Sequence, residues 1–440
     1  MRRGILCAAF LGAVFLAEAA PGLTSRDAAV IPMFRAANPA ISHYGILWRS
    51  AVRDGQDLVA ALGSPSAFSD DDDPYHDDFL FGENIWLVVF LQSRDRPAET
   101  VQVATITGGG TDDEIGVERV NAEEAVFLRT PVERLPLTMK LFFDAGSGKL
   151  VKQITYDSFY VSPIRWDKGV PFFIGCDFRR IVAIRPGATA ANFEVAGGEE
   201  ARRILAGVPK HIDPWGPGPF RTLRFGPNLR YAAIQKAGWE NRRSIVRRTT
   251  SGVKDVPLPA VTPAEYARLR PDMVKGGLWD SGGIRGDAGP VQLAEGRLWF
   301  GKTFTDAADD TGVGGFGYFD PVTARFRIFS PPEVRAWSVS AMLVERDAVW
   351  LALMLDGEYG LRGGGVLRWD RRTQAVIKYP LEPFSWAMAR YGGKVMLATR
   401  DGIAAIDGGE IREYFVDVDL RGGLRVVEKS RGRLPSVVLQ

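Results

Sequence analysis

Between residues 290 and 414 the chain repeats one short pattern three times, and that repetition limits the fold more than any other feature. In the first copy Pro290-Val291-Gln292-Leu293 is followed by Gly296-Arg297-Leu298-Trp299-Phe300-Gly301, Tyr318-Phe319-Asp320-Pro321 and Arg325-Phe326-Arg327-Ile328-Phe329. The second copy runs through Ala341-Met342-Leu343-Val344, Asp347-Ala348-Val349-Trp350-Leu351-Ala352, Arg368-Trp369-Asp370-Arg371 and Ala375-Val376-Ile377-Lys378-Tyr379. The third runs through Ala387-Met388-Ala389, Gly393-Lys394-Val395-Met396-Leu397-Ala398, Ala405-Ile406-Asp407-Gly408 and Glu410-Ile411-Arg412-Glu413-Tyr414. The same offset separates the first anchor (Pro290, Ala341, Ala387) from Trp299, Trp350 and Met396. A partial earlier copy is Phe142-Phe143-Asp144 with Ser147, Lys149 and Leu150.

Each copy holds four apolar segments of strand length, separated by turn residues. A tight hairpin before the Trp strand suits Gly or Asp, which tolerate positive φ or bond their own backbone. In Asp320-Pro321-Val322-Thr323 and Asp370 to Thr373 the carboxylate can accept turn N–H groups while Thr supports the turn. Four antiparallel strands per repeat of roughly 45 residues describe one blade of a β-propeller. A lone blade cannot bury both faces, so Trp299, Trp350 and Trp369 are expected between neighbouring sheets. The units resemble the repeats of bacterial two-component-regulator propellers and of streptogramin-lyase-like propellers, where a Gly-x-Leu-Trp-Phe-Gly strand precedes an apolar-Asp-Pro-x-Thr turn. The resemblance is clear over residues 285–416 and diffuse back to about residue 135. It implies an all-β, multi-bladed β-propeller over residues 135–430, of about six or seven blades at the usual repeat length. Leu424-Arg425-Val426-Val427 is expected to be a closing strand, and residues 431–440 a tail.

Residues 20–130 are expected to form a small N-terminal α+β or β addition of uncertain fold. Arg53 to Leu62 reads as a short amphipathic helix stopped by Gly63-Ser64-Pro65. Ile85 to Phe90 and Val101 to Ile106 read as strands, being β-branched or aromatic. Residues 1–19 read as a signal peptide: Arg2 and Arg3, an apolar run from Ile5 to Leu16, then Ala17-Glu18-Ala19 before the cut. That apolar run is too short to span a bilayer, which needs about 20 residues. The expected address is therefore periplasmic or secreted, with no membrane span. The formal net charge of +2 argues against a nucleic-acid partner, since neutralising phosphates takes a clustered basic excess. After cleavage Cys176 is the one cysteine, so no intramolecular disulfide can form.

Alternating strand direction gathers the longer loops at the blade end opposite the Glu295-Gly296 and Asp320–Thr323 turns. Ligand candidates there are Asp306, Asp309, Asp310, Trp337, Glu358, Tyr359, Arg362 and Trp386, because variable loops over a rigid scaffold carry most binding sites. The same side chains also read as solvated turns and packing aromatics. Asp306-x-x-Asp309-Asp310 could offer hard oxygens to Ca²⁺, but it lacks the spacing and closing Glu of a known calcium loop, so no cofactor is expected. The mature chain holds only His43, His76 and His211, and residues 242–440 contain no His, Asn or Cys. No nucleophile elbow or phosphate loop appears. The reading that follows is a non-enzymatic binding or scaffolding protein, its partner an unidentified protein, small molecule or saccharide. The alternative is a propeller lyase or metal-dependent lactonase, for which His211 is the acid–base candidate.

Overall fold

The structure, a computed structural model, describes residues 43–429 except 54, 65–85, 97–99, 108–113, 121–122, 131–136, 145–149, 158, 178–179, 188–191, 209–221, 236–241, 276–285, 305–311, 358–359 and 382. Residues 1–19, read above as a signal peptide, the acidic run from Asp70 to Asp78, His76 and His211 lie outside the described residues. The chain divides into two compact units, one ending at Asp157 and the other running on to Lys429.

The first unit contains two antiparallel meanders. One is β1 (His43–Arg53), β2 (Gln56–Ser64), β3 (Trp86–Ser93) and β4 (Thr100–Thr107). The other is β5 (Glu114–Val120), β6 (Glu124–Thr130), β7 (Leu137–Phe143) and β8 (Leu150–Asp157). In each, the strands pair in chain order. The helix expected over Arg53 to Leu62 is not formed. Gln56–Ser64 is a strand whose residues pair with β1 on one side and β3 on the other. Ala60, Ala61 and Leu62 favour a helix intrinsically, but two flanking strands supply ladder bonds that a propensity of a few tenths of a kcal/mol does not outweigh. Lys140 is wholly buried here and is held by Glu124 at 3.1 Å.

The second unit contains five more meanders. They are β9 (Tyr160–Asp167), β10 (Val170–Cys176), β11 (Ile181–Pro186) and β12 (Phe193–Val195); then β13 (Leu223–Phe225), β14 (Tyr231–Gln235), β15 (Arg243–Thr249) and β16 (Gly252–Asp255). Next come β17 (Asp287–Ala294), β18 (Arg297–Thr303), β19 (Phe316–Asp320) and β20 (Arg325–Phe329), and then β21 (Ser338–Val344), β22 (Ala348–Gly357), β23 (Gly360–Asp370) and β24 (Val376–Tyr379). The last holds five strands: β25 (Ser385–Tyr391), β26 (Lys394–Thr399), β27 (Gly402–Asp407), β28 (Glu410–Val418) and β29 (Leu424–Glu428). Every repeat segment named from the sequence in residues 290–414 falls on a strand or its bounding turn. The Leu424 segment is a strand, but it pairs with β28 rather than with the first sheet of the unit. It lies against β12, and Leu424 and Val426 pack into the apolar cluster there.

Turn chemistry explains the register. The hairpins β9–β10, β17–β18 and β25–β26 turn through Lys168-Gly169, Glu295-Gly296 and Gly392-Gly393, each pair with φ positive at both residues, the backbone that matches strand twist. Asp320 Oδ1 accepts the N–H groups of Val322 (2.8 Å) and Thr323 (3.2 Å), and Asp370 Oδ1 accepts those of Arg372 (3.0 Å) and Thr373 (2.7 Å). These bonds hold both carboxyls below the usual carboxylate range, led by the Val322 N–H for Asp320 and the Thr373 N–H for Asp370. A register shift interrupts the first strand pairing of several meanders, at Ala288/Val291, Val339/Ala341 and Ser385/Ala387. Such bulges sharpen twist where strands are most crowded.

Successive meanders of this unit pack against one another. Tyr231, Ala233 and Ile245 meet Leu298, Phe300 and Phe319; Trp299 and Phe316 meet Val339, Leu351 and Leu367. Trp350 and Val366 meet Leu397 and Ile406; Met396 and Tyr414 meet Phe173 and Phe193. The first strands β17, β21, β25 and β9 run beside one another in that order. The other face of the β9–β12 sheet is covered by α1 (Gly198–Leu205), through Ile204 against Phe172, Ile174 and Ala183. Gly301 shows how closely two sheets approach, since a Cβ there would collide with the Val339 side chain. Gly301→Ala is expected to cost about 1–3 kcal/mol, the range for overpacking. Urea titration checks this, and an unchanged midpoint would contradict so close an approach.

Candidate functional site

Asp306, Asp309, Asp310, Glu358 and Tyr359 lie outside the described residues. The other three candidates are placed. Trp337 is half-buried just before β21, its indole covering Gly364, and the Lys378 ammonium sits 5.6 Å from its ring. Arg362 is exposed on β23 opposite Leu355. Trp386 occupies the bulge of β25, edge-on to Phe384 at 4.5 Å, and its buried Nε1 has no hydrogen-bond partner. The loop at 400–402 neutralises itself: Arg400 Nε binds Asp401 at 2.9 Å, with Lys429 at 4.0 Å from the same carboxylate. The buried hydroxyls at this end are occupied structurally. Ser338 donates to Phe304 O (2.7 Å) and Ser385 to Ala398 O (2.9 Å).

What the structure does assemble is a cluster of basic side chains where the β13–β16 and β17–β20 meanders join. The two are linked by the pairing of Arg243 with Ala288, and Ala288 pairs onward with Lys302. Arg243, Ala288 and Lys302 therefore form one cross-strand row on three adjacent strands. Directly opposed residues point to the same face of a sheet. On β18 that face also carries Leu298 and Phe300, and on β15 it carries Ile245, all members of one apolar cluster. Two cations thus sit at the rim of a hydrophobic layer. At the spacing of neighbouring strands their backbones stand roughly 10 Å apart, with only the methyl group of Ala288 between them.

A cavity of about 230 Å³ opens beside this row, bounded by Arg243, Ile245, Asp255, Leu258, Gly286 and Asp287 among others. Arg243 is 9 % exposed; desolvation pulls its pKa down from the ordinary arginine range to about 10. Its Nη1 donates to Arg242 O at 3.2 Å. Arg242 Nε lies 3.7 Å from Asp287 Oδ2. Lys302 is 2 % exposed, and burial lowers its pKa to about 8, opposed only by the charge of Glu265. No carboxylate stands within ion-pair distance of its ammonium among the described residues. Its stem runs between two glycines: a Cβ on Gly286 would come 3.2 Å from Lys302 Cε and 3.8 Å from Nζ, and one on Gly315 would come 3.5 Å from Cδ. Glu265 belongs to α2 (Pro263–Leu269), capped by the Thr262 hydroxyl. That helix and α3 (Pro271–Lys275) are fastened by Arg270, which donates to Gly312 O at 2.6 Å and pairs with Asp272.

Sequence reading did not single out this row. Its signal was present in one strand: Lys302 continues the Leu298–Phe300 face, where the alternation calls for an apolar residue. Among the described residues no cluster of His, Cys, Asp and Glu has the makings of a metal site, and no helix is long and apolar enough to cross a membrane.

No protein-family model matches the chain, and no curated protein matches it. Solved structures do. The extracellular domain of a provisionally assigned one-component system from B. thetaiotaomicron aligns over 86% of this chain and 67% of its own, at 9% identity and a TM-score of 0.32. A protein from Bacteroides fragilis, provisionally assigned as a 6-phosphogluconolactonase, aligns over 87% of this chain and 96% of its own, at 9% identity and a TM-score of 0.23. An uncharacterised protein from Listeria monocytogenes aligns over 83% and 93%, at 8% identity and a TM-score of 0.25. Likenesses of this strength carry no inference about this chain.

Proposed function

We propose that the chain is an exported, non-enzymatic binding protein of β-propeller type, and that its ligand is a small anion held beside Arg243. The propeller reading is supported by consecutive four-stranded meanders that pack against one another with their first strands adjacent. The observation that carries the ligand class is the cavity flanked by desolvated Arg243, with Arg242 and Lys302 close by. Asp287 lies beside Arg242, and Asp255 is exposed at the rim. A cation stripped of water is a standing electrostatic cost that a bound anion offsets. A carboxylate or phosphate facing a guanidinium gains two parallel charge-assisted bonds. Export is supported by the residue pattern of the first nineteen positions; on this reading the mature chain begins at Ala20, which N-terminal sequencing of the secreted product checks.

The ligand test is titration calorimetry of the full mature chain against lactate, succinate and inorganic phosphate. At least one should bind. Arg243→Met should weaken that binding about ten- to a hundredfold, the worth of a hydrogen bond to a charged group. Absence of binding by all three probes, or an affinity that Arg243→Met leaves unchanged, would sink the proposal.

A further inference from the structure

We infer that Lys302 and Arg243 form a two-point site that captures a small carboxylic acid bearing an aldehyde or ketone, the Lys302 amine as an imine and Arg243 as the carboxylate's counter-ion. This rests on the anion-binding reading above and adds a covalent step to it.

Three observations carry the step. Lys302 is 2 % exposed, and no hydrogen bond or ion pair reaches its Nζ among the described residues, so nothing in the described chain holds its proton or blocks its lone pair. Its stem is fixed by packing rather than by charge, between Gly286 and Gly315, so the amine stays in place when neutral. Arg243 shares its cross-strand row and its sheet face, with Ala288 too small to separate the two ends of a short ligand. Gly286, which has no side chain, belongs both to the cavity wall and to the amine's surroundings.

The chemistry balances without an added oxidant or reductant. The neutral Lys302 amine attacks the carbonyl carbon, forming a C–N bond as the C–O π bond opens. The two amine protons leave with that oxygen as water, and the C=N bond closes. Burial favours the reaction because it holds a larger share of the amine neutral near pH 7–8 than an exposed lysine has. The Arg243 guanidinium faces the carboxylate and fixes the carbonyl toward Lys302. Capture is reversible by water, so this is a mode of binding rather than turnover.

The test is reductive trapping on the full mature chain. Pyruvate is added at pH 7.5 with sodium cyanoborohydride, which supplies the hydride that fixes an imine as a stable secondary amine, and the adduct is located by peptide mass spectrometry. Lys302 is expected to be modified well ahead of the exposed Lys254. Lys302→Arg should remove that adduct and leave the slow surface labelling. Arg243→Met should slow labelling by pyruvate about tenfold or more, the value of a charge-assisted bond, yet barely alter labelling by propanal, which has the carbonyl and no carboxylate. Modification of Lys302 no faster than Lys254, or pyruvate labelling indifferent to Arg243→Met, would overturn the inference. Lactate separates it from the reading beneath it. Lactate bound with no Lys302 adduct from pyruvate removes only the covalent step, whereas no lactate binding and no adduct remove the anion site as well.

Discussion

Replacing Trp299 or Trp350 with Ala should each lower the unfolding free energy by about 3–5 kcal/mol, the range for removing a large aromatic from a packed interior. Trp299 is 2 % exposed and Trp350 4 %, and each fills the gap between two sheets rather than the inside of one. The two indoles occupy equivalent strand positions but have different polar surroundings, and that separates the predicted effects of a milder change. Trp350 Nε1 donates to Glu345 Oε2 at 2.8 Å, and the ring stacks on Tyr379 at 5.7 Å. Trp299 packs against Tyr318 at 4.9 Å with the Arg371 guanidinium 5.0 Å from its ring, and its buried Nε1 has no partner. Trp350→Phe forfeits a hydrogen bond to a charged group as well as volume. Trp299→Phe forfeits volume but relieves an unsatisfied donor. The first should therefore be the more damaging of the two Phe variants by about 1–2 kcal/mol. Denaturant titration of all four variants decides it. A loss below about 1 kcal/mol for either Ala variant, with m unchanged, would mean the indole is not an inter-sheet anchor.

The same two residues show what the sequence made legible. Trp299, Trp350 and Met396 recur at fixed offsets because each faces a neighbouring repeat, and a residue that must fill an identical gap leaves an identical mark. The Asp320 and Asp370 turns were legible for a similar reason, since a carboxylate accepting two backbone N–H groups needs Asp at one position and little else. Residues 53–62 were misread because Ala60-Ala61-Leu62 carries no strong period, and the ladder bonds that β1 and β3 supply leave no mark in the segment itself. The basic row was illegible for a deeper reason. Arg243 and Lys302 belong to different meanders, and only the single pairing through Ala288 brings them onto one face. Trp337, Arg362 and Trp386 were chosen for being at one end of the repeats. Ser338 and Ser385, also at that end, spend their hydroxyls on backbone carbonyls.

Lys302→Met is expected to stabilise the protein at neutral pH by about 3 kcal/mol, and the gain should vanish as the solution becomes alkaline. Burial lowers the folded-state pKa from the ordinary lysine value of 10.5 to about 8, and each tenfold change in proton affinity is worth about 1.4 kcal/mol. Below pH 8 the amine is charged in both the folded and the unfolded chain, so the full cost of burying the ammonium is present. Between pH 8 and 10.5 the folded chain has released the proton while the unfolded chain retains it. Unfolding then takes up a proton, so wild-type stability climbs with pH across that window. Above 10.5 neither state is charged and the cost is gone. Met fills a similar volume without a titrating group, so Lys302→Met lacks this climb and the two curves converge. Urea titrations of both proteins at intervals from pH 6 to pH 10.5 measure the difference directly. A difference that stays constant with pH would mean the ammonium is solvated or paired in solution. A saturating anion that binds beside Arg243 should shrink the difference at pH 7, because it supplies the counter-charge that the described chain withholds from Lys302, and what remains should still close near pH 10.5, where the unfolded chain also gives up the proton.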